Sequence, residues 1–212
     1  MKIVAVLGSP RAGANSDILA ETLLKEAERL GAQTERFHLS KLNYKGCLGC
    51  GRCKLEQKEC VQRDDLTPVL EAVRSCDALV VASPVYFLDV SSQTKAFVDR
   101  CYSFCEPHCA ATPYKSRLAK GKALVFITSQ GAQDTFFADL PPRYNFSFKM
   151  IGFEPMYLIR ACGLGYRKDA VARREDLLKL AQETARKVVA GEPPIWDIAM
   201  YPVPYARDKS VE

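Results

Sequence analysis

The side chains in this sequence best placed to do chemistry are four cysteines, Cys47, Cys50, Cys53 and Cys60, which fall within fourteen residues and are threaded with Gly46, Gly49 and Gly51. On a plain helix Cys47 and Cys53 would stand roughly 9 Å apart along the axis and be rotated away from each other, so the sulfurs could not meet at one centre. The segment must therefore be a loop, and glycines that accept φ > 0 let such a loop turn its side chains inward. Thiolates are the usual anchors of iron–sulfur clusters, and two successive Cys-x2-Cys steps with a fourth cysteine nearby are a cluster type of spacing. Structural zinc more often draws on two well-separated pairs, and this segment offers one run. A thiol-rich loop that holds nothing, or one closed by disulfides, is the plain alternative.

A second candidate lies at the start of the chain. The apolar run from Lys2 to Leu7 ends at Gly8-Ser9-Pro10-Arg11, and a helical pattern begins near Asn15-Ser16, with Ile18, Leu19, Leu23, Leu24 and Ala27 at helical spacing and Gly31 as its C-cap. Such a strand–loop–helix unit points backbone N–H groups at an anion beside the helix N-terminus. Ser9, Arg11, Asn15 and Ser16 add side-chain donors suited to a phosphate monoester. Gly8 and Gly13 have the Gly-x4-Gly spacing of a nucleotide-triphosphate loop, but Ala14-Asn15 stands where Lys-Ser/Thr is needed. Gly-x-Gly-x-x-Gly is missing as well, so a mononucleotide phosphate fits best. The competing reading is a polar turn in which Ser or Asn merely caps the helix.

The elements that must position these groups alternate along the chain. Gln33 to Leu39 reads as a second strand, and Asp64-Asp65 opens a helix that ends at Cys76. Ala78 to Ala82 is almost uniformly apolar, as a central parallel strand should be. It leads into a turn, Ser83-Pro84-Val85-Tyr86-Phe87, where ligands of open α/β sheets bind and where Tyr86 or Phe87 could wall a flat ring. The same aromatics could equally belong to the core. Ser91 caps the next helix; Ala123 to Thr128 is a further buried strand, followed by the polar turn Ser129-Gln130-Gly131-Ala132, where Gly131 allows close backbone approach. The stretch 134–150 reads as mostly helical, interrupted by Pro141-Pro142, Met156 to Cys162 as the last strand, and 169–190 as a long amphipathic helix. Cys76, Cys101, Cys105, Cys109 and Cys162 read as packing or loop residues, and His108 has no assigned role. Residues 191–212 form a proline-rich extension.

With 212 residues and 48% hydrophobic content, residues 1–190 suffice for one α/β domain carrying the cysteine loop at 46–60. The start has no signal-peptide pattern and no apolar run reaches the ~20 residues of a membrane span, which points to the cytoplasm. Nine cysteines without an export signal suit metal or redox chemistry better than disulfide staples. A net charge of +5, with dispersed basic residues, speaks against nucleic acid and mildly for anionic small molecules or acidic electron-transfer partners.

Gly8-Ser9-Pro10-Arg11 with Asn15-Ser16, then Ser83-Pro84-Val85-Tyr86 with Lys95 and Asp99-Arg100, resembles the NADPH-dependent FMN reductases of the flavodoxin-like superfamily. The inserted Cys47-x2-Cys50-x2-Cys53-x6-Cys60 is similar to the compact motif of the iron–sulfur flavoproteins in that group. The resemblance implies a doubly wound five-stranded parallel sheet of order 2-1-3-4-5. It implies FMN, with Ser9, Arg11, Asn15 and Ser16 on its phosphate and Pro84, Val85, Tyr86, Phe87, Ser129 and Gly131 against its ring. It further implies a [4Fe–4S] cluster on Cys47, Cys50, Cys53 and Cys60, NAD(P)H as a possible donor, a homodimer or homotetramer, and an electron-transfer partner such as ferredoxin. Such a pair of cofactors converts two-electron into one-electron transfer and needs no side chain as general acid or base. An NAD(P)H-dependent FMN or quinone reductase without a cluster, and a zinc-stabilised non-enzymatic domain, are the alternatives.

Overall fold

The apolar runs become the middle of a sheet. In the computed structural model, which describes residues 1–55, 57–107 and 115–194, β1 (Lys2–Leu7), β3 (Ala78–Tyr86) and β5 (Lys122–Ser129) are buried along most of their length. The outer strands are β2 (Gln33–His38) and β6 (Phe153–Ala161), and the parallel order is β2-β1-β3-β5-β6. A two-residue strand, β4 (Asp89–Val90), folds back antiparallel on the end of β3. Leaving that short arm aside, the order is the expected 2-1-3-4-5.

Successive side chains on a strand face opposite sides, and each face has its own core. Ile3, Ala5, Leu7 and Val80 pack under α1 (Asn15–Arg29) and α5 (Glu175–Ala190). Val4, Val6, Leu79 and Val81 pack under α2 (Leu66–Ser75), α3 (Ser92–Cys101) and α4 (Leu140–Met150). Ser91 caps α3 as its type predicts, accepting the Thr94 N–H at 3.2 Å.

Four boundaries differ from the sequence reading. Pro141-Pro142 do not interrupt a helix; they lie in the first turn of α4, where a missing N–H removes no intrahelical bond. The final strand starts at Phe153 and ends at Ala161, and the stretch before α5 is a separate 3-10 turn at Ala170–Arg173. Ser83 to Tyr86 is not a turn: β3 runs on to Tyr86 and reverses at Phe87-Leu88. Pro84 is tolerated there because its nitrogen faces the β1 side, and β1 has ended at Leu7, opposite Ala82. Among the described residues no helix is long and apolar enough to cross a membrane. His108, Cys109 and residues 195–212 of the extension lie outside the described residues.

Candidate functional site

The turn between β1 and α1 is built by close packing against α3. A Cβ on Gly8 would meet Thr94 Oγ1 at 1.7 Å, so only glycine fits. The Gly8 N–H donates to Ala82 O at 2.8 Å, and its carbonyl accepts from Ser91 Oγ at 2.6 Å. Buried Ser9 ties the turn to itself, donating to Arg11 O at 2.9 Å and accepting the Arg11 N–H at 3.1 Å. Buried Asn15 reaches across the molecule instead: Nδ2 donates to Arg167 O at 2.7 Å and Oδ1 accepts the Val171 N–H at 3.0 Å. Ser16 is different, for its residue is 1% exposed and its hydroxyl has no partner. A buried polar group without a partner calls for an explanation, and at a helix N-terminus an anion supplies one.

Asp17, which sequence reasoning passed over, sits behind the same turn. Its Oδ2 accepts the Gly13 N–H at 3.2 Å while Oδ1 is buried and unpartnered. Burial pushes the Asp17 carboxyl above its usual value, and His38 and the Gly13 amide pull the other way. This carboxyl helps shape the turn from behind.

A cleft of about 420 Å³ opens over the turn, lined by Arg11, Asn15, Pro84–Tyr86, Ser129–Gly131 and Leu164–Arg167. Arg11, Asn15, Pro84, Val85, Tyr86, Ser129 and Gly131 are thus brought together; Ser9, in the turn, and Ser16, in the first turn of α1, do not line the cleft. Phe87 is not among the lining residues; it is fully exposed at the hairpin tip, because the continuation of β3 carries it past the rim. The loop Leu164–Arg167 was missed, although Gly163 and Gly165 after an apolar strand were its signal. It touches the turn after β5 closely enough that a Cβ on Gly131 would lie 2.8 Å from Gly165 O. The β4 arm is held in turn by Tyr144, whose hydroxyl donates to Asp89 Oδ1 at 2.7 Å. Burial and that bond push the Tyr144 phenol far up.

The cysteine loop stands apart, against the C-terminal end of α3. Gly49 and Gly51, both with φ near +65°, reverse the chain. Cys47 and Cys50 are exposed, Cys53 and Cys60 half-buried. Two cations tie the loop to residues 102–105, which follow α3: Arg117 Nη1 donates to Cys53 O at 2.8 Å and Lys58 O at 3.0 Å in the loop and to Ser103 O at 2.8 Å. Lys54 Nζ donates to Tyr102 O and to Cys105 O, at 2.5 and 2.7 Å. Burial pushes the Cys53 thiol up, with Lys54 pulling it down and Cys60 and Cys47 adding to the rise. Cys76, Cys101 and Cys105 are core residues, as expected. Cys162 is not: it lies one residue past the end of β6, half-buried beside Asp134, Arg160 and Arg174.

The two candidate groups fare differently against these residues. The orphaned Ser16 hydroxyl, the glycine-lined approach at Gly131 and the size of the cleft fit a mononucleotide with a flat ring. The four thiols fit an iron–sulfur cluster in kind, yet no three His, Cys, Asp or Glu side chains among the described residues stand together as metal ligands.

The parallel order, with a cleft across the carboxyl ends of β1, β3 and β5 at the point where the strand order reverses, defines a flavodoxin-like fold. Residues 1–152 match the family of NADPH-dependent FMN reductases, and the chain belongs to it. It is 47% identical over 102 residues to an iron–sulfur flavoprotein of Archaeoglobus fulgidus, covering 47% of this chain and 45% of that one. It is 34% identical over 139 residues to an iron–sulfur flavoprotein of Clostridioides difficile, covering 61% and 60%. The chain thus spans about half the length of most of these curated relatives. Among solved structures it is similar to an FMN-dependent NADH-azoreductase of Bacillus anthracis in complex with FMN, at a TM-score of 0.68 and 15% identity over 89% of this chain and 100% of that one. An NAD(P)H:quinone oxidoreductase of Methanothermobacter marburgensis superposes at 0.65 with 18% identity, over 89% and 96%. Both likenesses speak to the fold.

Proposed function

We propose that the protein is an FMN-dependent oxidoreductase that takes reducing equivalents from NAD(P)H, with a [4Fe–4S] cluster on Cys47, Cys50, Cys53 and Cys60 as a one-electron outlet. The observation that carries the flavin reading is the buried, unpartnered Ser16 hydroxyl at the N-terminus of α1, one residue on from Asn15, which lines the cleft. Ser16, Arg11 and the backbone N–H groups of the turn would hold the phosphate; Pro84, Val85, Tyr86, Ser129 and Gly131 would flank the ring. Ser9 and Asn15 contribute by shaping the turn and the opposite loop. Bound FMN supplies hydride chemistry at two electrons and can also pass electrons singly. The protein's part would be to hold the ring between Pro84–Tyr86 and Ser129–Gly131 and leave its outer face open to a donor. Assembly as a homodimer or homotetramer, a ferredoxin-like protein partner and a cytoplasmic setting that keeps nine cysteines reduced complete the reading.

A second reading, an NAD(P)H-dependent FMN or quinone reductase without a cluster, is favoured by one observation: the thiols of the loop are not gathered as metal ligands among the described residues. Anaerobically purified protein separates the two. It should bind one FMN per subunit, and Ser16→Ala should weaken binding by roughly ten- to a hundredfold, the value of a hydrogen bond to a charged group. Iron and sulfide that disappear in Cys50→Ala support the cluster; flavin with no iron selects the second reading. Zinc without flavin would make the domain a zinc-stabilised, non-enzymatic one. Colourless protein that takes up no added FMN sinks both enzymatic readings.

A further inference from the structure

Gln130 is the first residue after β5 and one of those lining the cleft, yet it is only 4% exposed. Its backbone is pinned on both sides: the N–H donates to Ala161 O at 2.8 Å and the carbonyl accepts the Leu164 N–H at 3.2 Å. The side-chain amide is pinned as well. Nε2 donates to Gln133 O at 2.8 Å, to Phe136 O at 3.1 Å and, more weakly, to Ala132 O at 3.5 Å. An amide has one donor end and one acceptor end, and turning this one over would set its oxygen against three carbonyls, so the partners fix which end is which. Arg160 braces the same segment, its Nη2 donating to Asp134 O at 3.0 Å and to Phe136 O at 2.9 Å.

The acceptor end is in a different position. Oε1 is buried and has no donor among the described residues. As a brace for residues 132–136, Gln130 needs only its Nε2, and the oxygen has no part in that work. A buried polar atom without a partner calls for an explanation, and for an acceptor on a cleft residue a ligand that brings a donor supplies one. The location says which part of the ligand. β5 is two strands away from β1, roughly 9–10 Å at the usual strand spacing, so Gln130 stands away from the turn that would hold the phosphate and between Ser129 and Gly131, which would flank the ring. An oxidised isoalloxazine ring carries a single N–H, at N3, set between two carbonyls.

We propose that Gln130 is a specificity-determining residue for the flavin, its Oε1 accepting the ring N3–H while Nε2 keeps the amide from turning over. This deepens the FMN reading of the cleft and rests on it. A site built to take a ligand N–H rejects the analogue that lacks one, because its own buried acceptor is then left unpaired.

The test titrates the flavin-free full chain with FMN and with 3-methyl-FMN, in which a methyl group replaces the N3 proton, following flavin fluorescence. Wild type should bind 3-methyl-FMN at least about tenfold more weakly than FMN. Gln130→Met, which fills similar space with neither end of the amide, should bring the two flavins within about twofold of each other. Loosening of residues 132–136 in the variant weakens both flavins alike, so the ratio of the two affinities separates a contact with the ring from a brace. Wild type that does not distinguish the flavins, or Gln130→Met that distinguishes them as sharply as wild type, overturns the role of Gln130 and leaves the FMN site standing. Wild type that binds neither flavin overturns both. If Gln130→Met does not fold, wild-type protein saturated with FMN labelled with nitrogen-15 at N3 decides. Scalar coupling from that nitrogen to the side-chain carbonyl carbon of Gln130, across the hydrogen bond, is the expected result, and its absence overturns the contact.

Discussion

Asn15 offers the sharpest contrast between a residue's type and its place. Its type suggests a phosphate donor, but both ends of its amide bond the backbone of the segment 167–171, more than 150 positions away. Asn15→Ala would delete two hydrogen bonds, each worth about 1 kcal/mol net, and would leave the N–H of fully buried Val171 without an acceptor at a further ~1–2 kcal/mol. The sum, about 3–4 kcal/mol, corresponds to a melting temperature roughly 6–16 °C lower for a chain of this size. Thermal melts of flavin-free protein read that directly, and an FMN fluorescence titration reads the effect on the cleft that Leu164–Arg167 line. Asn15→Asp keeps the acceptor for Val171 and loses the donor to Arg167 O, so its flavin-free stability should be intermediate. It should nonetheless bind FMN worst of the three proteins, since it places a carboxylate beside the phosphate turn. If flavin-free Asn15→Ala melts within about 2 °C of wild type and only FMN affinity falls, the clamp reasoning is wrong and Asn15 acts on the ligand itself.

Two other outcomes follow from the structure. Phe87 and Leu88 form a two-residue hairpin turn with φ of 41° and 76°, a conformation that favours Asn-Gly and strains ordinary L-residues by about 1–2 kcal/mol each. Phe87→Asn with Leu88→Gly should therefore raise the melting temperature by roughly 4–16 °C with the cleft intact, and an unchanged or lower value would show that the turn holds no such strain. Glu26 lies between Arg29 and Arg186, which pull its carboxyl from 4.5 down to about 2 and tie α1 to α5. A depressed folded value means stability that is present above 4.5 and lost as pH falls through 2, so the stability gap between wild type and Glu26→Gln should close over that window. A gap as wide at pH 3 as at pH 7 would contradict the assignment.

The parts of the fold that were legible are those in which each residue answers to its neighbours in sequence. Uniform apolar runs could only be strands buried on both faces, and Ser91 ahead of an apolar helix could only be a cap, because strand burial and helix capping are local bargains between adjacent residues. The clustered cysteines with their glycines announced a loop for the same reason. Where the partner is distant, the reading failed in a consistent way. Pro84 looked like a turn residue because nothing nearby says that β1 stops opposite Ala82, and with the strand's end misplaced Phe87 was put into a cleft that it overshoots. Cys162 looked like core because its neighbours are apolar, yet it falls just beyond β6, where the polar side chains of other segments meet. Donors follow the same rule. Ser9, Asn15 and Ser16 were interchangeable as types, but folding gives the first two internal partners and leaves the third buried and unsatisfied. A sequence can therefore name the set of groups able to grip an anion. Which member of the set remains unpartnered is settled only by long-range contacts, and in this chain it is Ser16 Oγ.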